Sequence, residues 1–258
     1  MAGAGVVYLM YHELEVPGRS LCDAAPGYVR YVVSRSDFEQ QMLWLNSSGW
    51  RGVSVGEALA APQANGVVLS FDDGCETDLS AAAPLLKQLR FGATFYITVG
   101  YVGSPGHLPA AQVRELSDMG FEIGCHSMTH SYLSGLKSNQ LTEEIAFAKI
   151  RLQHIIGRRV DHFSCPGGRS DPRVVRIARE AGYRSLATSR VAVNTPQSDP
   201  FALGRVAVMR DTSLNSFQQL CRGEGIWKLQ LRDLTRSAAK LFLGDERYDR
   251  VRSAFLGG

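Results

Sequence analysis

Short runs of β-branched and aromatic residues alternate with longer segments of helical spacing through most of this chain, and that alternation limits the folds open to it. VVYLMY (6–11), GVVLSF (66–71), ATFYITV (93–99), FEIGC (121–125), VDHFSC (160–165) and RVAVM (205–209) read as strands buried on both faces; YRSLAT (183–188) is a further candidate. Between them, SDFEQQMLWLNSSGW places Phe38, Met42 and Leu45 on one helical face, with Ser36 or Asp37 as N-cap and Gly49 as stop. PAAQVRELSDMG runs from Pro109 to Gly120, and TEEIAFAKIRLQHIIG opens with acids and closes at Gly157. DPRVVRIAREAG has Asp171 as cap, Pro172 in the first turn and Gly182 as stop. This pitch predicts a parallel sheet with helical crossovers, either an open α/β sheet or a (β/α) barrel. In both, side chains at the carboxyl ends of the strands converge on one face, where catalytic groups collect.

Composition narrows the function classes. With 258 residues, 45% of them hydrophobic, and no repeat or polar linker, the chain reads as one domain with a substantial core. A net charge of +3 with both signs interspersed offers no basic face for a phosphate backbone, so nucleic acid is not expected as a partner. No apolar run approaches the roughly 20 residues that span a bilayer, and the start MAGAGVVYLMYHELEV lacks a basic leader region. Five widely spaced cysteines without a CxxC favour free thiols and a reducing compartment, hence the cytoplasm; an exported or envelope location stays open if a leader has been removed. The C-terminal stretch WKLQLRDLTRSAAKLFLGDERYDRVRSAFL reads as helix covering the core, and its basic amphipathic character leaves peripheral membrane contact open.

Four strand ends carry candidate chemistry. Asp72 and Asp73 follow Phe71, with Gly74 permitting the turn; their bland reading is a helix N-cap. FEIGCHSMTH brings His126 and His130 to a second strand end, spaced to reach one point from a helical turn or a tight loop. Two imidazoles and one carboxylate make a three-ligand set with open positions, as catalytic divalent-metal sites require. The other aspartate is then free to accept a proton from water. HFSCPGGRSDP supplies a backbone at Gly167 and Gly168 that can approach a substrate and offer an N–H to developing negative charge, or simply a turn. YLMYHEL ends another strand at His12, for which a structural role is the plainer alternative. Cys75, Cys125 and Cys165 adjoin these motifs, but the neighbouring residues already complete a metal site, so the thiols read as small buried groups.

Taken in order, SFDDG (70–74), HSMTH (126–130) and SCPGG (164–168) resemble the successive motifs of the polysaccharide deacetylase family, the chitooligosaccharide deacetylase-like carbohydrate esterases. The resemblance spans about residues 5–210 and is nearest the exopolysaccharide or poly-N-acetylglucosamine deacetylase-like branch, in which an opening strand ends in Tyr-His. It implies a distorted (β/α) barrel of parallel strands in a single domain, with a helical extension over about 211–258. The implied activity is metal-dependent removal of N-acetyl, or in some members O-acetyl, groups from an oligosaccharide, polysaccharide or glycan precursor, with Zn2+ as default metal. Asp72 becomes the general base; Asp73, His126 and His130 become the metal ligands; Ser127 steadies the second histidine. Gly167 takes the oxyanion-hole position and His12 becomes the general acid, since no histidine follows His162. The family's base-orienting arginine is replaced by Ser164, leaving Arg205 or Arg169 as substitutes, and Gly167 stands where an aromatic residue is usual, which widens the adjacent pocket. Two rival readings remain: a non-catalytic glycan-binding protein on the same fold, and a non-haem iron oxygenase, which the second adjacent carboxylate disfavours.

Overall fold

The computed structural model describes residues 5–61 and 65–231. Among these, one sheet contains β1 (Val6–Tyr11), β2 (Arg51–Val53), β3 (Gly66–Phe71), β4 (Thr94–Ile97), β5 (Glu122–Cys125), β6 (His162–Ser164), β7 (Ser185–Ala187), β8 (Val193–Asn194) and β9 (Val206–Ala207). The order is β8-β1-β3-β4-β5-β6-β7, with β9 also against β1 and β2 against β3. Every pairing is parallel except β8 with β1. Beyond β7 the chain crosses back: Thr188 N donates to Leu203 O and Leu203 N to Leu186 O, and Val206–Ala207 then pairs with Leu9–Met10. Residues 203–207 thus connect the last parallel strand to the first, and the sheet curls into the distorted (β/α) barrel that the sequence predicts.

Alternation along the strands sorts side chains into two layers. Val7, Leu9 and Tyr11 of β1 and Val67, Leu69 and Phe71 of β3 pack outward with the helices, where Phe38, Met42 and Leu45 of helix Arg35–Ser47 meet them. Tyr11 stacks on Phe71 and Phe71 on Phe95, with centroids 5.2 and 4.8 Å apart. The opposite parity, Val6 and Tyr8 with Val68, Tyr96, Ala187 and Leu203, fills the interior. At the strands' amino ends Glu122 accepts from Thr94 Oγ1 (2.5 Å) and Gly56 N (3.0 Å) and lies 3.4 Å from His162 Nε2, which places His162 away from the carboxyl-end face.

Several boundaries differ from expectation for identifiable reasons. Helix Arg35–Ser47 is capped by Ser34, not Ser36 or Asp37: Ser34 Oγ accepts from Asp37 N at 3.0 Å, and Asp37 sits in the first turn, where its charge suits the helix end. The segment expected as one helix to Gly157 contains a π-turn, Glu143–Phe147, before Ala148–Ile156. RVAVM pairs only over Val206–Ala207, since Arg205 N donates to Arg190 O instead of to a strand neighbour. In the extension, helix Leu214–Cys221 buries Phe217 edge-on against Trp44 (6.0 Å), and residues 226–231 are helical. The helix expected further on, from residue 232, lies outside the described residues, as do residues 1–4. Among the described residues no helix is long and apolar enough to cross a membrane.

Phe95 joins Phe71, in its stack, to Phe121, edge-on at 5.4 Å, and is fully buried. Phe95→Ala is expected to lower unfolding free energy by about 3–5 kcal/mol, measured by urea titration.

Candidate active site

The twin acids are placed by the ladder that carries β3. Asp72 N donates to Tyr11 O (3.0 Å), which prolongs the β1–β3 pairing by one residue and keeps Asp72 in the inward series of Val68 and Ser70. Asp73 and Gly74 then both take φ of 80°, a left-handed turn that redirects the second acid. Neither acid caps a helix: helical backbone begins only at Glu76, after the bridge residue Cys75.

At the end of β5, His126 N continues the ladder to Ile97 O (2.9 Å), and the chain folds into a tight loop with Ser127 at φ 68° and His130 at φ 64°. Ser127 Oγ accepts from His130 N at 3.0 Å, as the resemblance implied. Glu144, on the π-turn, accepts from Met128 N (3.0 Å), Thr129 N (2.9 Å) and Thr129 Oγ1 (2.5 Å). Sequence reading missed this clamp, because an acid within a helical pattern gives no sign that it faces a loop.

These loops bring Asp73, His126 and His130 together. Asp73 Oδ1 lies 3.6 Å from His126 Nε2 and 3.3 Å from His130 Nε2, and the three ligand atoms lie within 4.8 Å of one another. His126 Nδ1 faces the Ser164 carbonyl at 2.9 Å, an acceptor only, so Nδ1 carries the hydrogen and Nε2 keeps a lone pair. Burial pushes the His126 pKa down to about 4, so the ring is neutral near pH 7. Asp73 Oδ1 is buried and accepts no hydrogen bond among the described residues. An unsatisfied carboxylate oxygen facing two imidazole nitrogens fits a divalent cation.

Asp72 has a different environment. Arg205 grips it with both arms, Nη1 to Oδ1 at 2.7 Å and Nη2 to Oδ2 at 2.8 Å. The guanidinium is itself buried and donates further to Ser164 Oγ (2.7 Å), Ser70 Oγ (3.3 Å) and Thr188 O (3.1 Å). Burial alone would raise the Asp72 pKa, but the Arg205 charge and hydrogen bonds, with His126, hold it well below the usual carboxylate range. Of the two substitute arginines, Arg205 therefore contacts Asp72, while Arg169 stacks over the Tyr132 ring at 3.8 Å.

Both acids and both histidines line a cleft of about 1030 Å³ that also includes His12 and Gly167. His12 Nδ1 is buried without a hydrogen-bond partner among the described residues, and its ring tilts against Tyr31 at 5.0 Å. The wider pocket expected at Gly167 is occupied from elsewhere: a Cβ at this φ +61° position would stand 2.6 Å from the Tyr132 ring. Tyr132, 47% exposed, walls the cleft there, and the aromatic surface comes from the histidine loop. Cys125 and Cys165 are buried outside the ligand group, with burial raising both thiol pKa values, Cys125 to about 11.

The polysaccharide deacetylase family profile matches residues 60–186, which contain all three candidate ligands, Asp72 and Gly167. The chain belongs to the polysaccharide deacetylase family. It is 27% identical over 215 residues to the Bacillus subtilis (strain 168) protein YxkH, named for the polysaccharide deacetylases, covering 81% of this chain and 73% of that one. It is 24% identical over 201 residues to the poly-beta-1,6-N-acetyl-D-glucosamine N-deacetylase of Staphylococcus aureus (strain MRSA252), covering 70% and 69%. Among solved structures, IcaB from Ammonifex degensii superposes with a TM-score of 0.72 at 26% identity, over 86% of this chain and 98% of that one. The polysaccharide deacetylase assignment agrees with the motifs, and barrel and family were both legible in them.

Replacing Arg205 by Met leaves a buried carboxylate without its partner, an expected loss of about 3–5 kcal/mol near neutral pH. In the wild type the Asp72 pKa is lower folded than unfolded, so this stabilisation is present above the unfolded value and fades as pH falls toward the folded one. In the variant burial dominates and reverses the sign, so stability is lost as pH rises. The gap between the two proteins should therefore widen from about pH 3 to pH 7, measured by denaturant unfolding across that range.

Proposed function

We propose that this chain is a metal-dependent deacetylase that removes N-acetyl groups from an N-acetylglucosamine-containing exopolysaccharide or a related glycan precursor, releasing acetate. The observation carrying this reading is the different partnering of two adjacent acids: Asp73 Oδ1 faces both imidazoles without a hydrogen bond among the described residues, whereas Asp72, at a similar distance from His126 Nε2 (3.7 Å), has both oxygens gripped by Arg205. Asp73, His126 and His130 would hold a divalent cation, zinc by default, which supplies Lewis-acid polarisation of the acetyl carbonyl and acidifies water.

Asp72, ionised at working pH, takes the proton of the attacking water, and Arg205 fixes the direction of its lone pairs. The Gly167 N–H donates to the oxygen on which negative charge develops. His12, which lines the same cleft, gives a proton to the departing nitrogen so that the free amine leaves. Tyr132 offers an aromatic face to a sugar ring at the mouth of the cleft. The Staphylococcus aureus relative, by its name, acts on poly-beta-1,6-N-acetyl-D-glucosamine, and similarity over 70% of this chain supports a substrate of that class.

Acetate release from N-acetylglucosamine oligomers, with chelation and zinc readdition, tests the reading. Asp72→Asn should keep the metal and lower kcat by about 10²- to 10⁴-fold; near-normal turnover would remove Asp72 as the base. Asp73→Asn should lose activity together with the cation held by Asp73, His126 and His130. His12→Gln should lower kcat about 100-fold with little change in KM; near-normal turnover assigns proton donation elsewhere. Oligosaccharide binding by the metal-loaded wild type without any acetate release would make the protein a glycan binder instead.

A further inference from the structure

A second group of metal-ligating side chains lies outside the site described above. Cys22, Cys75 and one ring nitrogen of His107 approach within 4.8 Å of one another, although they come from three separate loops. The two sulfurs are 3.7 Å apart. A disulfide requires about 2.05 Å, whereas two zinc–sulfur bonds of about 2.3 Å at the tetrahedral angle separate their sulfurs by about 3.8 Å. The observed spacing, also that of a thiol–thiol hydrogen bond, matches the edge of a tetrahedral metal site.

The surroundings are arranged for the same purpose. Cys75 and His107 face each other across an isolated antiparallel bridge, held by Leu108 N to Gly74 O (3.0 Å) and Glu76 N to Gly106 O (2.9 Å). His107 Nδ1 lies 3.2 Å from the Pro105 carbonyl and 3.3 Å from Ser104 Oγ. A carbonyl only accepts, so Nδ1 carries the hydrogen and Nε2 keeps its lone pair, the arrangement that orients metal-binding imidazoles. Gly106 leaves room for the Cys22 sulfur: a Cβ there would stand 2.8 Å from Sγ, at a φ of +82°. Arg19 Nη2 lies 3.8 Å from the same sulfur, a positive charge that favours thiolate, and Arg19 is itself anchored to buried Glu13.

We propose that Cys22, Cys75 and His107 form a second, thiolate-rich site for a soft divalent cation, with zinc the best match. Two thiolates and an imidazole select zinc over magnesium or calcium, which prefer oxygen. Three protein ligands leave the fourth position to water. The Cys22 thiol that now donates to Gly106 O (3.2 Å) and the Cys75 thiol release their protons to solvent on binding, so two thiolates balance the dication. One ion then ties the Cys22 loop to the segment carrying Asp72 and Asp73 and to the loop carrying His107, whose ring contacts Tyr101 at 4.7 Å; Tyr101 in turn stacks on His130 at 5.9 Å. The site lies outside the hydrolytic chemistry and does not depend on it.

Cobalt substitution of the full chain under reducing conditions tests this, because sulfur-to-cobalt charge transfer absorbs in the near ultraviolet and the Asp73, His126 and His130 set holds no sulfur. Reduced wild type should bind about two cations per chain and show that absorption. Asp73→Asn should keep the band and lose one cation; Cys22→Ser should lose the band and keep the other cation. Should Cys22→Ser fold poorly, His107→Gln, which leaves both sulfurs, should weaken zinc binding about tenfold or more, and zinc should shield Cys22 and Cys75 from alkylation in the wild type. Absence of the band, a band surviving in Cys22→Ser, or a Cys22–Cys75 disulfide with no cation uptake after reduction would each overturn the proposal.

Discussion

The buried pair between Arg205 and Asp72 holds the architecture and the candidate chemistry together. Asp72 ends β3, near the middle of the sheet, and Arg205 lies on the strip of chain that links β7 back to β1. Their bidentate contact therefore spans the barrel interior at the point of closure, and the same guanidinium gathers Ser164, Ser70 and Thr188. Two charges out of water tolerate this only because every N–H donor of the guanidinium has an acceptor. Fold stability and a fixed, ionised carboxylate are consequences of one contact.

A division between two adjacent acids follows from strand geometry. Asp72 still obeys the alternation of β3 and points inward; Asp73, one residue later, has left the ladder through a left-handed turn. One acid meets a permanent cation of the protein, the other stands unpaired facing two imidazole nitrogens. Identical side chains thus acquire different duties from a single change in backbone direction, and a helix cap would have required neither feature.

The readable parts of the sequence were those governed by local rules. Strands buried on both faces announce themselves by β-branched and aromatic runs, and their ends showed where Asp72, Asp73, His126, His130 and His12 would gather. Arg205 was named but not separable from Arg169, because the contact with Asp72 joins residues 133 positions apart and exists only once the barrel closes. Glu144 and Tyr132 went unread: a helical acid and a loop aromatic carry no local mark of the loop or the glycine they face. Cys22 and Cys75, 53 positions apart, form no CxxC, so spacing rules passed over a pair that the loops bring to 3.7 Å.

Backbone strain shows where the structure is most tightly determined. Four described non-glycine residues have positive φ, Asp73, Arg90, Ser127 and His130, and three of them belong to the candidate site. Such conformations cost about 1–3 kcal/mol each and persist only where surrounding contacts fix them. Those contacts are visible: Ser127 Oγ holds His130 N, Glu144 holds the two amides between them, and the Ser164 carbonyl sets the His126 ring. His126 is thereby a deep, fixed group, whereas the His130 side chain, 32% exposed, stands at the cleft edge. The pair therefore presents protein on the His126 side and solvent on the His130 side, and Tyr132 and Gly167 line the same cleft.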